Sequence, residues 1–221
     1  MPLEAQAVSC SIRSLFVAAL VLSAGDRALA SDGAALFQAR CVACHGAQAA
    51  GNAGLQAPPL AGQDEAYLVR QLRQFRNRQR GGESPSPAVA GMQAVAQALP
   101  DDAAIDALAR HLSRLKPPAV KASPPAAGSP QMAGKALYSV CMACHGSGGE
   151  GNRPLAAPRL NHLPAWYTLA QLNAYRSDQR GTHADDLPGR QMHQVAKEAV
   201  ADDDAARAVA EYIATLGTGR H

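Results

Sequence analysis

Large side chains are scarce in this chain. Only nine of its 221 residues are aromatic: five Tyr, three Phe and one Trp. That excludes an aromatic-rich β-sandwich, whose core energetics rest on large rings. The apolar share of 47% is made up largely by alanine, at 48 residues, and alanine adds little volume or buried area. A large conventional core is therefore doubtful, and something other than side chains is expected to fill space. Charge is short as well. Charged residues are 18% of the chain and the net charge is +3. So small a surplus gives no argument for nucleic acid, and the low charge content does not suit a disordered tail. After the N-terminal region, no run is long and apolar enough to span a bilayer.

What is present begins with a leader. Residues 1–30 read as a secretory signal: Arg13 supplies positive charge, Leu15 to Ala24 form a short apolar run, and Ala28-Leu29-Ala30 is an A-x-A cleavage site. Glu4 and Asp26-Arg27 depart from the ideal pattern. Cys10 precedes the apolar run and is no acylation site. The expectation is export to the periplasm, cleavage near Ala30, and a soluble mature chain. Peripheral membrane association is left open.

The mature chain repeats itself at an offset of 100. Cys41-Val42-Ala43-Cys44-His45-Gly46 matches Cys141-Met142-Ala143-Cys144-His145-Gly146. The same offset pairs Gly51-Asn52, Ala57-Pro58, Leu60, Tyr67, Gln71-Leu72, Arg76, Gln79-Arg80-Gly81 and Met92 with their counterparts, without a gap. This period is too long for a solenoid unit and marks a duplicated domain. The expected organisation is a first domain at 31–116, a Pro/Ala-rich linker at 117–130 and a second domain at 131–221. Domains this small usually need extra staples.

The coarse pattern is all-α. Helices are expected at 34–39 and 135–140, running into the cysteine motifs. A third is expected at 65–79, with Leu68, Leu72 and Phe75 at helical spacing; its counterpart carries Leu169, Leu172 and Tyr175. Asp101 or Asp102 can cap a last helix bearing Ile105, Leu108, Leu112 and Leu115, and Asp202 to Asp204 open its match. The stretches 46–59 and 81–87 read as loops.

Cys-x-x-Cys-His is the attachment sequence for c-type haem. Residues i, i+3 and i+4 share one helix face, so two thiols can add across the two vinyl groups of one porphyrin while the histidine reaches its iron. Cys41, Cys44 and His45 are thus the expected cofactor-binding set of the first domain, and Cys141, Cys144 and His145 that of the second. A zinc site would use two Cys-x-x-Cys pairs together, but these lie in separate domains. A thioredoxin-type dithiol lacks its βαβ context. A disulfide framework would use more cysteines.

For the second axial ligand the expectation is Met92 and Met192, each 47 residues after its motif histidine. Methionine raises the potential of a c-type haem. Core packing is the usual fate of Met, but Met132 and Met142 do not repeat whereas these two do. His193, beside Met192, is the alternative in the second domain. His111, His162, His183 and His221 have no repeat partners and read as surface residues. Two six-coordinate irons would leave no open site, which favours electron transfer over peroxide or oxygen chemistry.

Each unit resembles a class I cytochrome c: Cys-x-x-Cys-His, then a Pro-x-Leu element, a Met, and a C-terminal helix. The tandem resembles the dihaem cytochrome c4 family across the mature chain, including Pro59-Leu60-Ala61-Gly62-Gln63, Tyr67-Leu68 and Gln71-Leu72. The resemblance implies two class I domains, each wrapped around one covalently bound haem c. It implies that Pro58 and Pro158 offer a carbonyl to the proximal histidine. Arg76/Arg176 and Arg80/Arg180 would neutralise haem propionates or simply form a solvated helix face. Departures are the extra residue between Leu36-Phe37 and Cys41, and Asn161-His162-Leu163 where the first unit has Ala61-Gly62-Gln63.

The function so implied is a non-enzymatic periplasmic carrier passing single electrons between redox proteins: a terminal oxidase, a quinol-oxidising complex or a dehydrogenase. Nucleic acid is not expected as a partner. The alternatives are a cytochrome subunit of a dehydrogenase complex, such as a sulfide-oxidising flavocytochrome, and a dihaem enzyme, such as a thiosulfate dehydrogenase or peroxidase. The motifs use every mature cysteine, which disfavours a cysteine-ligated enzyme site. Arg70, Arg73, Arg76, Arg78 and Arg80 fall within 11 residues, and suggest a basic docking surface on the first domain.

Overall fold

The computed structural model describes residues 32–119 and 130–218. The leader at 1–30, Lys121 and most of the expected linker, and His221 lie outside the described residues. Among those described, the architecture is helical, with isolated bridges between Asn52 and Ala57 and between Asn152 and Ala157 in place of a sheet.

The first unit comprises α1 (Gly33–Arg40), α2 (Val42–His45), a 3₁₀ turn (Ala53–Leu55), α3 (Glu65–Arg76), α4 (Pro87–Gln97) and α5 (Asp102–Arg114). The second comprises α6 (Pro130–His145), α7 (Ala165–Arg176), α8 (Leu187–Ala199), α9 (Asp203–Thr215) and a closing 3₁₀ turn (Leu216–Thr218). Short polar caps start most of these helices. Asp32, Asp64, Asp101, Asp186 and Asp202 each accept a backbone N–H of the first turn. Such a cap satisfies an otherwise orphan donor and adds about 1 kcal/mol. The helix expected at 65–79 stops at Arg76, and Arg78 takes a left-handed φ of 55°.

Each unit is clamped by its first and last helices. Phe37 is fully buried against α5, with Ile105, Leu108, Ala109 and Leu112. Tyr138 holds the same place against α9, among Ala206, Val209 and Ile213. Burying each large side chain contributes about 1.5–3 kcal/mol. The crossing is close because a glycine sits at it. A Cβ at Gly33 would lie 2.1 Å from Ala107 O, and one at Gly134 would lie 2.0 Å from Ala208 O.

This crossing explains the extra residue before Cys41. Gly33 corresponds to Gly134, Phe37 to Tyr138 and Ala107 to Ala208, an offset of 101 rather than 100. Clamp and haem motif must both keep their places, so the first unit absorbs one residue between them. It does so at Cys41 (φ −120°, ψ −31°), where α1 ends before α2 begins. In the second unit α6 runs through Cys141 unbroken.

Helices α4 and α8 are not announced by large apolar side chains, and sequence periodicity alone passes over them. Ser86 with Pro87, and Asp186 with Pro188, set their starts. They pack against α3 and α7 respectively. These are the helices that carry Met92 and Met192.

Candidate functional site

The motif histidines are built identically in the two units. His45 and His145 are buried, and each Nδ1–H donates to a backbone carbonyl, of Pro58 and Pro158 respectively, at 2.9 Å. The loops are closed by Gly51 N–H donating to His45 O and Gly151 N–H donating to His145 O. Both glycines have φ above 80°, and a Cβ on either would meet backbone at under 3 Å. That accounts for their repetition. With Nδ1 committed, Nε2 carries the lone pair and is free to bind a metal; the carbonyl orients the ring and raises its basicity. Burial lowers the pKa of both histidines against the opposing carbonyl bond. The neutral, ligating form is therefore kept at pH 7.

The thiols are unpaired. Cys44 and Cys144 are exposed, while Cys41 and Cys141 are half-buried. Burial, and for Cys41 the neighbouring Cys44, pushes the first thiol of each motif up to about 11. Among the described residues no group of three or more His, Cys, Asp or Glu side chains is placed to hold a metal ion. Two free thiols and one histidine per unit are the donor set of a thioether-linked porphyrin. Met92 and Met192 occupy equivalent half-buried places on α4 and α8. His193 is otherwise engaged: its Nε2 is 2.6 Å from Asp178 Oδ1, which also accepts from Lys197 Nζ at 2.6 Å. Those hydrogen bonds, from Lys197 first and then His193, hold the Asp178 carboxyl below its ordinary value.

His162 corrects the surface assignment. It is only 3% exposed, and neither ring nitrogen has a hydrogen-bond partner among the described residues. Burial, then the charge of Arg159, pushes its pKa down to about 4. The first unit has Gly62 here, pressed against Pro117.

The arginines are also placed differently from a solvated docking face. Arg76 donates to Ala96 O, Asp101 O and Asp102 Oδ1, tying α3 to the start of α5. Arg176 reaches Asp203 in the same way. Arg73 pairs with Asp102 and Asp106. Arg70 donates to Ala156 O of the second unit. Arg78 alone of the five has no such partner among the described residues. Of the five, only Arg73 and Arg76 are paired with carboxylates, sharing Asp102, while Arg80 is buried.

Arg80 and Arg180 do something else. They are 6% and 5% exposed and sit between the units. Arg80 donates to its own Gln71 Oε1 at 2.8 Å, and across to Gln171 Oε1 at 2.6 Å and the Tyr167 hydroxyl at 3.2 Å. Arg180 mirrors it, donating to Gln171 Oε1 at 2.8 Å, Gln71 Oε1 at 2.8 Å and the Tyr67 hydroxyl at 3.0 Å. Each guanidinium lies over an aromatic ring, Phe75 at 4.5 Å and Tyr175 at 4.6 Å. The two cations share Gln71 Oε1, so their donating nitrogens are within twice 2.8 Å of each other. Two like charges that close repel by about 3 kcal/mol at an effective dielectric of about 20. No carboxylate of the described residues pairs with either, and Arg180 Nε has no partner. Burial would push the Tyr67 phenol up, but Arg180 and Arg80 bring it below its usual value. A cofactor carrying its own carboxylates fits this cationic centre, and haem c is such a group.

Further bonds join the units. Gln63 and Arg159 exchange two hydrogen bonds, through Gln63 Nε2 to Arg159 O and Arg159 N–H to Gln63 Oε1. Arg159 Nη1 donates to Gly62 O, Arg153 pairs with Asp64, and Gly81 N–H donates to Gln179 O. Sequence reasoning saw Tyr67, Gln71 and Arg80 as repeats but did not bring them together.

Comparison with known proteins gives two matches to the Cytochrome c family, at residues 30–116 and 131–217. A thiosulfate dehydrogenase electron acceptor from Stutzerimonas stutzeri (strain A1501) is 35% identical over 215 residues, covering 91% of this chain and 93% of the relative. A cytochrome c4 structure from Acidithiobacillus ferrooxidans has a TM-score of 0.64 at 31% identity, over 80% of this chain and 98% of that one. A thiosulfate dehydrogenase (TsdBA) from Marichromatium purpuratum has a TM-score of 0.65 at 34% identity, over 83% of this chain. This chain spans only 39% of that enzyme's length.

Proposed function

The chain belongs to the cytochrome c family, as a dihaem member of the c4 type with two covalently bound haem c groups, and on that premise we propose that it is a periplasmic single-electron carrier serving a thiosulfate-oxidising dehydrogenase. Each bound haem c supplies one reversible iron(III)/iron(II) couple. Cys41 and Cys44, and Cys141 and Cys144, attach the two groups through thioether bonds. His45 and His145 present Nε2 as proximal ligands, held by Pro58 and Pro158. Met92 and Met192, on α4 and α8, would supply the second protein ligand to each iron, and a thioether there would favour the reduced iron. With one histidine and one methionine of the chain to hold each iron, the residues present would support electron exchange rather than substrate binding.

The observation that carries this reading is the pairing of two identically built proximal histidines in one body welded by Arg80, Arg180 and the Gln63–Arg159 exchange. Such an arrangement accepts two electrons one at a time. The thiosulfate link is supported by the relative named as an electron acceptor and by the enzyme of which this chain matches a part.

A redox titration followed by optical spectra tests it. The purified protein should titrate as two c-type haems showing the far-red ferric band of His/Met ligation. Met192→Ala should abolish about half that band and lower one potential; an unchanged spectrum refutes the ligand. Thiosulfate should reduce the protein only when a thiosulfate dehydrogenase is added. Steady thiosulfate turnover by the chain alone would make it an enzyme instead.

A further inference from the structure

Three cations of the first unit gather at a place the arginines of α3 do not reach. Arg110, Arg114 and Lys116 follow one another over the last turn of α5 and the residues just past it, and all three are exposed. We infer that they form a docking surface for an acidic face of the dehydrogenase that delivers electrons to this chain. This rests on the carrier reading above and names the chemistry by which its donor is met.

Three observations carry it. First, the cluster is unanswered within the chain. None of the three enters an ion pair among the described residues. Asp106, one turn before Arg110, is held by Arg73, and Glu150, which lines a cleft with Ser113, accepts Gly148 N–H. The segment 117–130 that follows holds no Asp or Glu, and its one charge is Lys121. Secondly, the fold does not need these charges. Cations at a helix C-terminus complement the helix dipole, but α9, also 13 residues long, has no basic residue in its last turn. At the 101-residue offset of the clamp, Glu211, Thr215 and Gly217 stand where Arg110, Arg114 and Lys116 do. Arg110 and Arg114 are also four apart on one helix, where like charges repel, so the patch is kept against a local cost. Thirdly, the patch is tied to the haem-binding site. Gly62 N–H donates to Leu112 O at 2.9 Å, and the same loop carries Pro58, whose carbonyl holds His45. A partner seated on the α5 tail therefore stands beside the loop that fixes the first proximal histidine. That partner is a protein rather than a bilayer. Among the described residues none of the exposed large apolar side chains lies on α5, and three cations with no apolar anchor hold an anionic membrane weakly. Charge of this kind sets the encounter rate more than the final affinity.

The test is stopped-flow reduction of the haem-loaded full chain by a purified thiosulfate dehydrogenase supplied with thiosulfate, followed across ionic strength. The parent's second-order rate constant should fall about tenfold between roughly 20 mM and 200 mM salt. The double variant Arg110→Gln/Arg114→Gln should be slower by about threefold or more at the low end and should converge with the parent near about 0.5 M, where surface charges are screened. Arg110→Lys/Arg114→Lys keeps the charge and should stay within about twofold of the parent. Lys135→Gln/Arg207→Gln removes the same net charge from exposed positions on α6 and α9 and should also stay within about twofold. A Gln pair on α5 that keeps pace with the parent at low salt overturns the proposal. So does a Lys pair as slow as the Gln pair, or a second-unit control that slows as much, which would make net charge the cause. Co-sedimentation of the parent with phosphatidylglycerol vesicles, abolished by the α5 Gln pair, would assign the patch to a membrane and overturn the protein assignment. If the parent is not reduced at all, the functional reading fails and this docking surface with it; if it is reduced and the Gln pair keeps pace, only this inference fails.

Discussion

Replacing Gly134 by Ala tests the helix clamp with opposing forces of known size. Gly134 lies inside α6, where alanine improves helix propensity by about 1 kcal/mol. Its new Cβ, however, would fall 2.0 Å from Ala208 O, 2.5 Å from Ala208 C and 3.0 Å from Tyr212 Cβ. The first two are backbone atoms of α9 and cannot swing away. Relief requires α6 and α9 to part by about 1 Å, which loosens Tyr138, Val209 and Ile213 together. Overpacking costs about 1–3 kcal/mol in well-packed cores, and a clash with backbone sets it at the upper end. The net expectation is a loss of about 2 kcal/mol. Gly91→Ala is the control. Gly91 lies inside α4, nothing approaches within 4 Å of its Cβ position, and the second unit carries an exposed Gln191 there. It should gain up to about 1 kcal/mol. Guanidinium unfolding of the haem-loaded protein, followed by circular dichroism and haem absorbance, reads both. A Gly134→Ala protein as stable as its parent would show that the clamp yields freely, and the account of the 101-residue offset would fall with it.

Two further outcomes follow from buried polar groups. His162 has a folded pKa near 4 against 6.5 in the unfolded chain. As pH falls through 6.5 the unfolded chain takes up a proton that the folded chain refuses, so stability drops until about pH 4, by about 3 kcal/mol in all. His162→Phe removes both unpartnered nitrogens and should flatten that acid limb in urea titrations, with little change at pH 7; an identical pH profile would refute the assignment. Tyr138, nearly fully buried, donates its hydroxyl to Gly146 O at 2.7 Å, whereas Phe37 fills the same place without one. Tyr138→Phe should therefore cost about 1 kcal/mol, read in the same unfolding assay, and a loss below 0.3 kcal/mol would show the bond to be idle.

Much of the haem-binding half of each unit was legible because its chemistry needs fixed spacing. Cys41, Cys44 and His45 must share one helix face, and the duplicated motif states that twice. The apolar face of α5 was legible too, since Ile105, Leu108 and Leu112 recur at helical spacing, but its packing against α1 was not. Helices α4 and α8 were not: α4 is built from Ala, Gly and Val, and its start depends on Ser86 and Pro87 rather than on an apolar stripe. The interface was illegible for a different reason. An arginine following a helix is ordinarily solvated, and nothing local marks Arg80 as buried. The available signal was joint repetition of Tyr67, Gln71 and Arg80, since identical residues repeated in two facing units can meet across a pseudo-twofold axis. His162 misled because it has no repeat partner, which resembles surface drift. It is instead a buried site at which the two units diverged.

The crossed arginines also bear on how such a duplicated chain can change over time. Tyr67 and Arg180 are 113 residues apart yet bonded, so a substitution in one half is answered for in the other. A single half, expressed alone or released by cleavage, would expose an arginine and a tyrosine whose partners had left with its twin. The two copies are free to diverge around their own histidines, as Gly62 and His162 have done. At Tyr67, Gln71 and Arg80 they are bound to one another's choices, and a gene that shed either copy would leave the survivor with an open wound rather than a spare surface.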